Sequence, residues 1–91
     1  MTTRYARHPD LRLTALEGEG VVLHLGTRRY YSVSESGLDL LDALTAPRTL
    51  EELVAVLTAK YEVTLAQATD SAQEFVEHGV RTGVLVVEEL P

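Results

Sequence analysis

The feature that most constrains this chain is a change of hydrophobic period within one uninterrupted stretch, VVLHLGTRRYYSVSESGLDLLDAL, from Val21 to Leu44. Its first half alternates. Val21, Leu23 and Leu25 fall on one side of an extended chain and Val22 and His24 on the other, and after Gly26-Thr27 the alternation resumes with Tyr31 and Val33 facing opposite to Tyr30 and Ser32. A β-hairpin follows, with Arg28 and Arg29 just past its turn. At Ser34 the period lengthens to about 3.6: Ser34 is a good N-cap, Glu35 suits a positive helix end, and Leu38, Leu40, Leu41 and Leu44 give an apolar face. A strand therefore feeds directly into a helix, which fixes the strand's angle to whatever that helix packs on.

Upstream, residues 1–10 are polar and end in the turn signal Pro9-Asp10, so the first ordered element is expected at Leu11. Leu11 to Ala15 alternates as a strand, and Glu17 to Gly20 is a turn composition. Three strands with short connections imply an antiparallel meander that must lean on helices. Downstream, Thr49 with Glu52 and Thr64 with Gln67 form two capping boxes. The first opens a helix with the stripe Leu50, Leu53, Val54, Leu57 and Tyr61; the second opens one with Leu65, Ala68, Ala72, Phe75, Val76 and Val80. Gly83 is placed as a helix C-terminal glycine, and Val84 to Val87 reads as a strand that adds an edge or packs across the helices. With 91 residues and no linker, one domain spanning 1–91 is expected, its ordered core at about 11–87.

Several functions are disfavoured. The net charge is −6, and the basic residues are scattered rather than striped, which argues against nonspecific nucleic-acid binding. There is no cysteine, and the N-terminus lacks a signal-peptide apolar core, so a cytoplasmic protein is expected, with no membrane partner. His8, His24 and His78 show no metal-type spacing, and His24 is expected to face water or a partner. No nucleophile elbow or phosphate-binding glycine loop is present, so neither catalysis nor a cofactor is expected.

The strand Arg28-Arg29-Tyr30-Tyr31 remains. If the meander keeps chain order, this strand lies at a sheet edge, where unpaired backbone groups beside basic and aromatic side chains can accept an extended peptide. The alternative is that the tyrosines simply favour strands and one of them packs in the core.

The run Tyr30-Tyr31-Ser32-Val33-Ser34-Glu35-Ser36-Gly37, with Leu40, Leu41 and Leu44, then Pro47 to Leu53, Leu57 and Tyr61, and finally Phe75 and Gly83, resembles the PqqD-like family over about residues 11 to 85. Its members are the precursor-peptide recognition elements of ribosomally made, post-translationally modified peptides. The resemblance implies an α+β, winged helix-turn-helix-like fold, a three-stranded antiparallel sheet followed by a three-helix bundle. It also implies a noncatalytic, stand-alone protein, closer to those of lasso-peptide pathways than to the quinone-cofactor protein. Such a protein holds the leader segment as an added strand and delivers it to a modifying enzyme, whether leader peptidase or radical or cyclising enzyme. Carried onto this chain, the peptide-binding residues are Arg28, Arg29, Tyr30, Tyr31, Ser32 and Val33 on the strand, with Arg28 and Arg29 attracting acidic leader residues. Ala72, Phe75, Val76 and Gly79 form the wall. Ser34 replaces the family's usual Asn, Ser71 its frequent Asp, and Gly79 a common large apolar residue, a change that deepens the groove or alters its ligand. A winged-helix DNA-binding regulator is the alternative, although the helix from Leu50 begins with two glutamates. Homodimerisation through the exposed edge is left open.

Overall fold

The computed structural model describes residues 2–90. Its elements are β1 (Thr2–Arg7), β2 (Leu11–Leu16), β3 (Glu19–His24), β4 (Arg29–Ser34), α1 (Glu35–Ala43), α2 (Leu50–Lys60), α3 (Leu65–Thr82) and β5 (Leu85–Leu90). Strands β2, β3 and β4 form the antiparallel meander in chain order. The turn between β2 and β3 needs only Glu17 and Gly18, because Gly18 takes the left-handed conformation at φ 78°. Glu19 and Gly20, expected in the turn, belong to β3. Gly20 is there for packing: a Cβ at this position would lie 2.6 Å from Leu38 Cδ1, so the missing side chain lets α1 close onto the sheet.

The sheet buries the face carrying Leu11, Val22 and His24. His24 therefore points inward, not toward water or a partner, since it shares its face with Val22 and is only 4% exposed. Its Nδ1 accepts the amides of Gly26 (3.1 Å) and Thr27 (3.3 Å), and its ring lies 4.4 Å from that of His8. The buried imidazole thus ties down the β3–β4 turn, which satisfies it as a polar group in the core.

The helices start where the sequence places them. Ser34 Oγ accepts Gly37 N–H at 3.2 Å, both capping boxes are formed, and Gly83 ends α3 at φ 81°. Leu40, Leu41, Leu44, Leu53 and Leu57 are buried, and α3 meets them with a stripe of small residues, Ala68, Ala72, Val76 and Gly79. Leu65 and Val80 of that helix are exposed instead. From the middle of α1, Asp39 accepts hydrogen bonds from Lys60 (2.8 Å) and from the Tyr61 hydroxyl, which clamps α1 to the end of α2.

One expectation is corrected at the start of the chain: residues 2–7 form β1, so the first ordered element precedes Leu11. The last strand, for which an added edge and packing across the helices were both open, pairs with β1 and lies against α3, with Tyr5 opposite Val87 and Arg7 opposite Leu85. On its other side β1 is held by the 45–49 connection, where Tyr5 and Arg48 exchange both backbone hydrogen bonds at 2.7 and 2.9 Å. The α+β class, the three-stranded antiparallel sheet and the three helices are as expected. The winged-helix likeness is not established, because the strand after α3 pairs with β1.

Gly79 illustrates how tightly this second sheet is held. A Cβ there would sit 2.7 Å from both Cγ and Cδ1 of Leu85. Alanine gains about 1 kcal/mol in helix propensity, whereas overpacking costs about 1–3 kcal/mol. Gly79→Ala is therefore expected to lower the midpoint of urea unfolding; an unchanged or raised midpoint would show that Leu85 can move aside.

The Lys60 ammonium, and after it the Tyr61 hydroxyl, hold the Asp39 carboxyl below its ordinary value. This contribution to stability is complete above a pH of about 4, the unfolded value, and is lost as the pH falls through the depressed folded value. The same bond pushes the Tyr61 phenol up to about 12, so its share persists to about pH 10 and is lost toward 12. Asp39→Asn should melt below the wild type near neutrality, with the gap narrowing in thermal melts taken progressively below pH 4.

Candidate peptide-binding groove

The hydrogen-bond register decides which backbone groups of β4 are free. Leu25 N–H donates to Asp10 C=O at 3.0 Å, so in the antiparallel alternation Leu25, Leu23 and Val21 turn their backbone groups toward β2. Val22 and His24 consequently turn theirs toward β4, bonding Tyr31 and Arg29. The N–H and C=O of Tyr30 and Ser32 are left pointing outward, and among the described residues no strand pairs with β4 on that side.

Beside this edge stands α3. The Tyr31 hydroxyl donates to Thr82 C=O at 3.4 Å, while Phe75 approaches Gly37 at the start of α1, so α3 runs antiparallel to β4 along its free side. Between them is a hollow of about 70 Å³ whose walls include Tyr31, Val33, Phe75, His78, Gly79 and Thr82. It continues into a wider, more polar depression of about 290 Å³ that shares Phe75 and His78 and adds Ser34, Ser71 and Glu74. The groove is apolar along the strand and polar where α1 begins.

Of the residues expected on the strand, Tyr31, Ser32 and Val33 line the hollow, with Tyr31 and Val33 half-buried. Tyr30 projects from the opposite face of the sheet and is 71% exposed. One tyrosine thus packs against the core, as the structural alternative anticipated, and the other does not. Arg28 and Arg29 are exposed at the hairpin end and form no salt bridge among the described residues. Arg28 occupies the turn itself rather than the strand, at φ 59°.

On the helix, Phe75 and Gly79 face the groove. Ala72 and Val76 do not supply its wall: Ala72 is fully buried and Val76 nearly so, because both belong to the small-residue stripe pressed into the core. Nor is the small size of Gly79 a device of the groove alone, since Leu85 occupies the space a side chain would need. Sequence reasoning missed His78, Thr82 and Glu74. The first two follow Phe75 at intervals of three and seven, the spacing of one helix face, so the signal was present for a reader who set the wall by Phe75 alone. Among the described residues no cluster of His, Cys, Asp and Glu could hold a metal ion.

The site is thus an open strand edge backed by an apolar helix face, in a small α+β protein. The chain belongs to the PqqD family, described as coenzyme PQQ synthesis protein D, whose family model matches residues 19–85. Comparison with curated protein sequences gives no match. Two solved structures share the fold. One, described as TbiB1 in complex with the TbiA(beta) leader peptide, superposes with a TM-score of 0.78 at 21% identity, over 88% of this chain and 93% of that one. The other, a lasso peptide synthetase B1 complexed with the leader peptide, gives 0.72 at 16% identity, over 90% and 96%.

The left-handed backbone at Arg28 costs a non-glycine residue about 1 kcal/mol or more. Arg28→Gly should therefore leave stability unchanged or raise it by up to about 1 kcal/mol while deleting one charge at the hairpin end. A lower melting temperature would mean that the arginine side chain itself supports the turn.

Proposed function

We propose that this protein binds the leader segment of a ribosomally synthesised, post-translationally modified precursor peptide, without catalysing a reaction itself. The leader is taken as an added strand on β4, over the face of α3 that carries Phe75 and His78. The observation that carries this reading is the outward N–H and C=O pairs of Tyr30 and Ser32 beside the apolar hollow. Backbone bonds to those residues supply affinity. Alternate leader side chains enter the hollow and meet Phe75, and Arg28 and Arg29 attract acidic residues at the hairpin end.

Membership of the PqqD family and the fold shared with two leader-peptide complexes support this choice of ligand. Both of those proteins are described with leader peptides, and one as lasso peptide synthetase B1, which favours a lasso-type pathway over cofactor synthesis. In this reading residues 1–91 act as one recognition domain of a cytoplasmic peptide chaperone. The bound leader is presented to a leader peptidase or a cyclising or radical enzyme. No helix among the described residues is long and apolar enough to cross a membrane. The acidic first turn of α2, Glu51 and Glu52, counts against duplex binding by that helix.

Ser32→Pro tests the geometry. Proline removes only the outward N–H of an edge strand and leaves the β3 ladder in place. Calorimetric titration with the leader segments of all short precursor peptides found encoded nearby should show micromolar binding of one of them by the wild type and at least about tenfold weaker binding by the variant, for loss of a strand bond and the register it sets. Equal binding by both proteins would exclude strand addition at β4, and no binding by the wild type would exclude the function.

A further inference from the structure

A second hollow is larger than the β4 groove. It lies on the opposite flank of α3, about 440 Å³, between that helix and the β1–β5 ribbon. Tyr5, Val76, Val80 and Val87 give it an apolar floor, and Glu77 and Arg81 stand at its rim. Val80 and Val87 are 40% and 45% exposed, which is high for valines facing each other across a cleft.

The register shows a second free edge here. His8 N–H donates to Val84 C=O, and the backbone groups of Tyr5 are turned away toward Arg48, so Ala6 and Arg4 are the β1 residues bonded to β5, at Val86 and Glu88. The N–H and C=O of Val87 and Glu89 therefore point away from β1, and among the described residues no strand pairs with β5 on that side. Helix α3 is thus flanked by two strand edges with free backbone groups, each beside an apolar hollow in which α3 forms one wall.

The two edges differ in charge. Arg28 and Arg29 mark the β4 edge, whereas β5 carries Glu88 and Glu89, with Glu77 on the neighbouring helix. Arg4 stands opposite Glu88 on the β1 side, away from the open edge, and Arg81 is the one cation lining the cleft. Antiparallel pairing of two copies through β5 would set these glutamates against one another, which disfavours self-association.

We propose that the α3–β5 cleft is a second strand-accepting surface, built for an extended, alternately aliphatic and basic segment of a partner protein. It goes beyond the leader-binding reading and does not require it. Because the two edges lie on opposite flanks of α3, a ligand at β4 and a partner at β5 can be held at the same time.

The test uses the full chain, isotopically labelled, and two synthetic peptides of equal length, one alternating valine with lysine and the other valine with glutamate. The valine–lysine peptide should shift the amide resonances of Val80, Val87 and Glu89 and leave Tyr30 and Ser32 in place; the valine–glutamate peptide should not shift the β5 residues. Val87→Pro, which removes only an outward N–H, and Val80→Lys, which puts a cation in the cleft, should each weaken the response by about fivefold. Two variants on separate elements keep the test decisive if one fails to fold. An equal response to both peptides, shifts centred on β4, or no shift at millimolar peptide would overturn the proposal. Concentration-dependent broadening along β5 without peptide would assign the surface to a second copy and overturn it as well.

Discussion

Close packing of α3 on its narrow stripe is the constraint from which the rest of the molecule follows. Ala68, Ala72, Val76 and Gly79 bring the helix down onto the core while burying little of its circumference. A helix seated on large residues would spread its contacts to either side and fill the spaces that here stay open. Because the seat is narrow, Phe75 and His78 stand on one flank and Glu77 and Val80 on the other, each lining a hollow. The clefts are a result of how little of the helix is used for stability.

The same economy fixes the roles of the glycines. Gly20 admits Leu38 to the sheet and Gly79 admits Leu85 to the helix, so each of these contacts brings two elements closer than any side chain would allow. Such positions tolerate little change, because protein interiors are packed to near-crystalline density and a displaced leucine has nowhere to go without cost. On the flanks, Glu77 and His78 are exposed and take no part in that packing, whereas half-buried Phe75 still leans on the core. The packed stripe and the open flanks are thus separate faces of one helix.

Much of this was legible in the sequence wherever the signal was local. The period change at Ser34, both capping boxes and the C-terminal Gly83 each depend on residues a few positions apart, and each element starts or stops where they indicate. The chain-order meander, and with it the exposed position of β4, followed from short connections. What escaped was long-range. Thr2–Arg7 has a single large apolar residue, Tyr5, and becomes a strand only because Val84 to Leu90 lies beside it. The inward turn of His24 required knowing that the Val22 face is the buried one. Ala72 and Val76 come to the groove only through the family resemblance; as members of an apolar stripe they read as core, and there the structure buries them.

The pairing of β1 with β5 also bears on how the protein forms. The meander, the strand-to-helix junction and the capped helices rest largely on contacts between neighbours in the chain, so they can assemble as the polypeptide emerges. Tyr5 must wait for Val87, almost the full length of the sequence later. Non-local pairings of this kind close slowly, because the loop entropy is lost before the contact forms. Until then β1 is a short strand with neither β5 nor a finished core to lie against, and Leu85 has not yet covered Gly79. Contact order thus makes the seam between β1 and β5, with Tyr5 set opposite Val87, the most distant pairing the fold has to close.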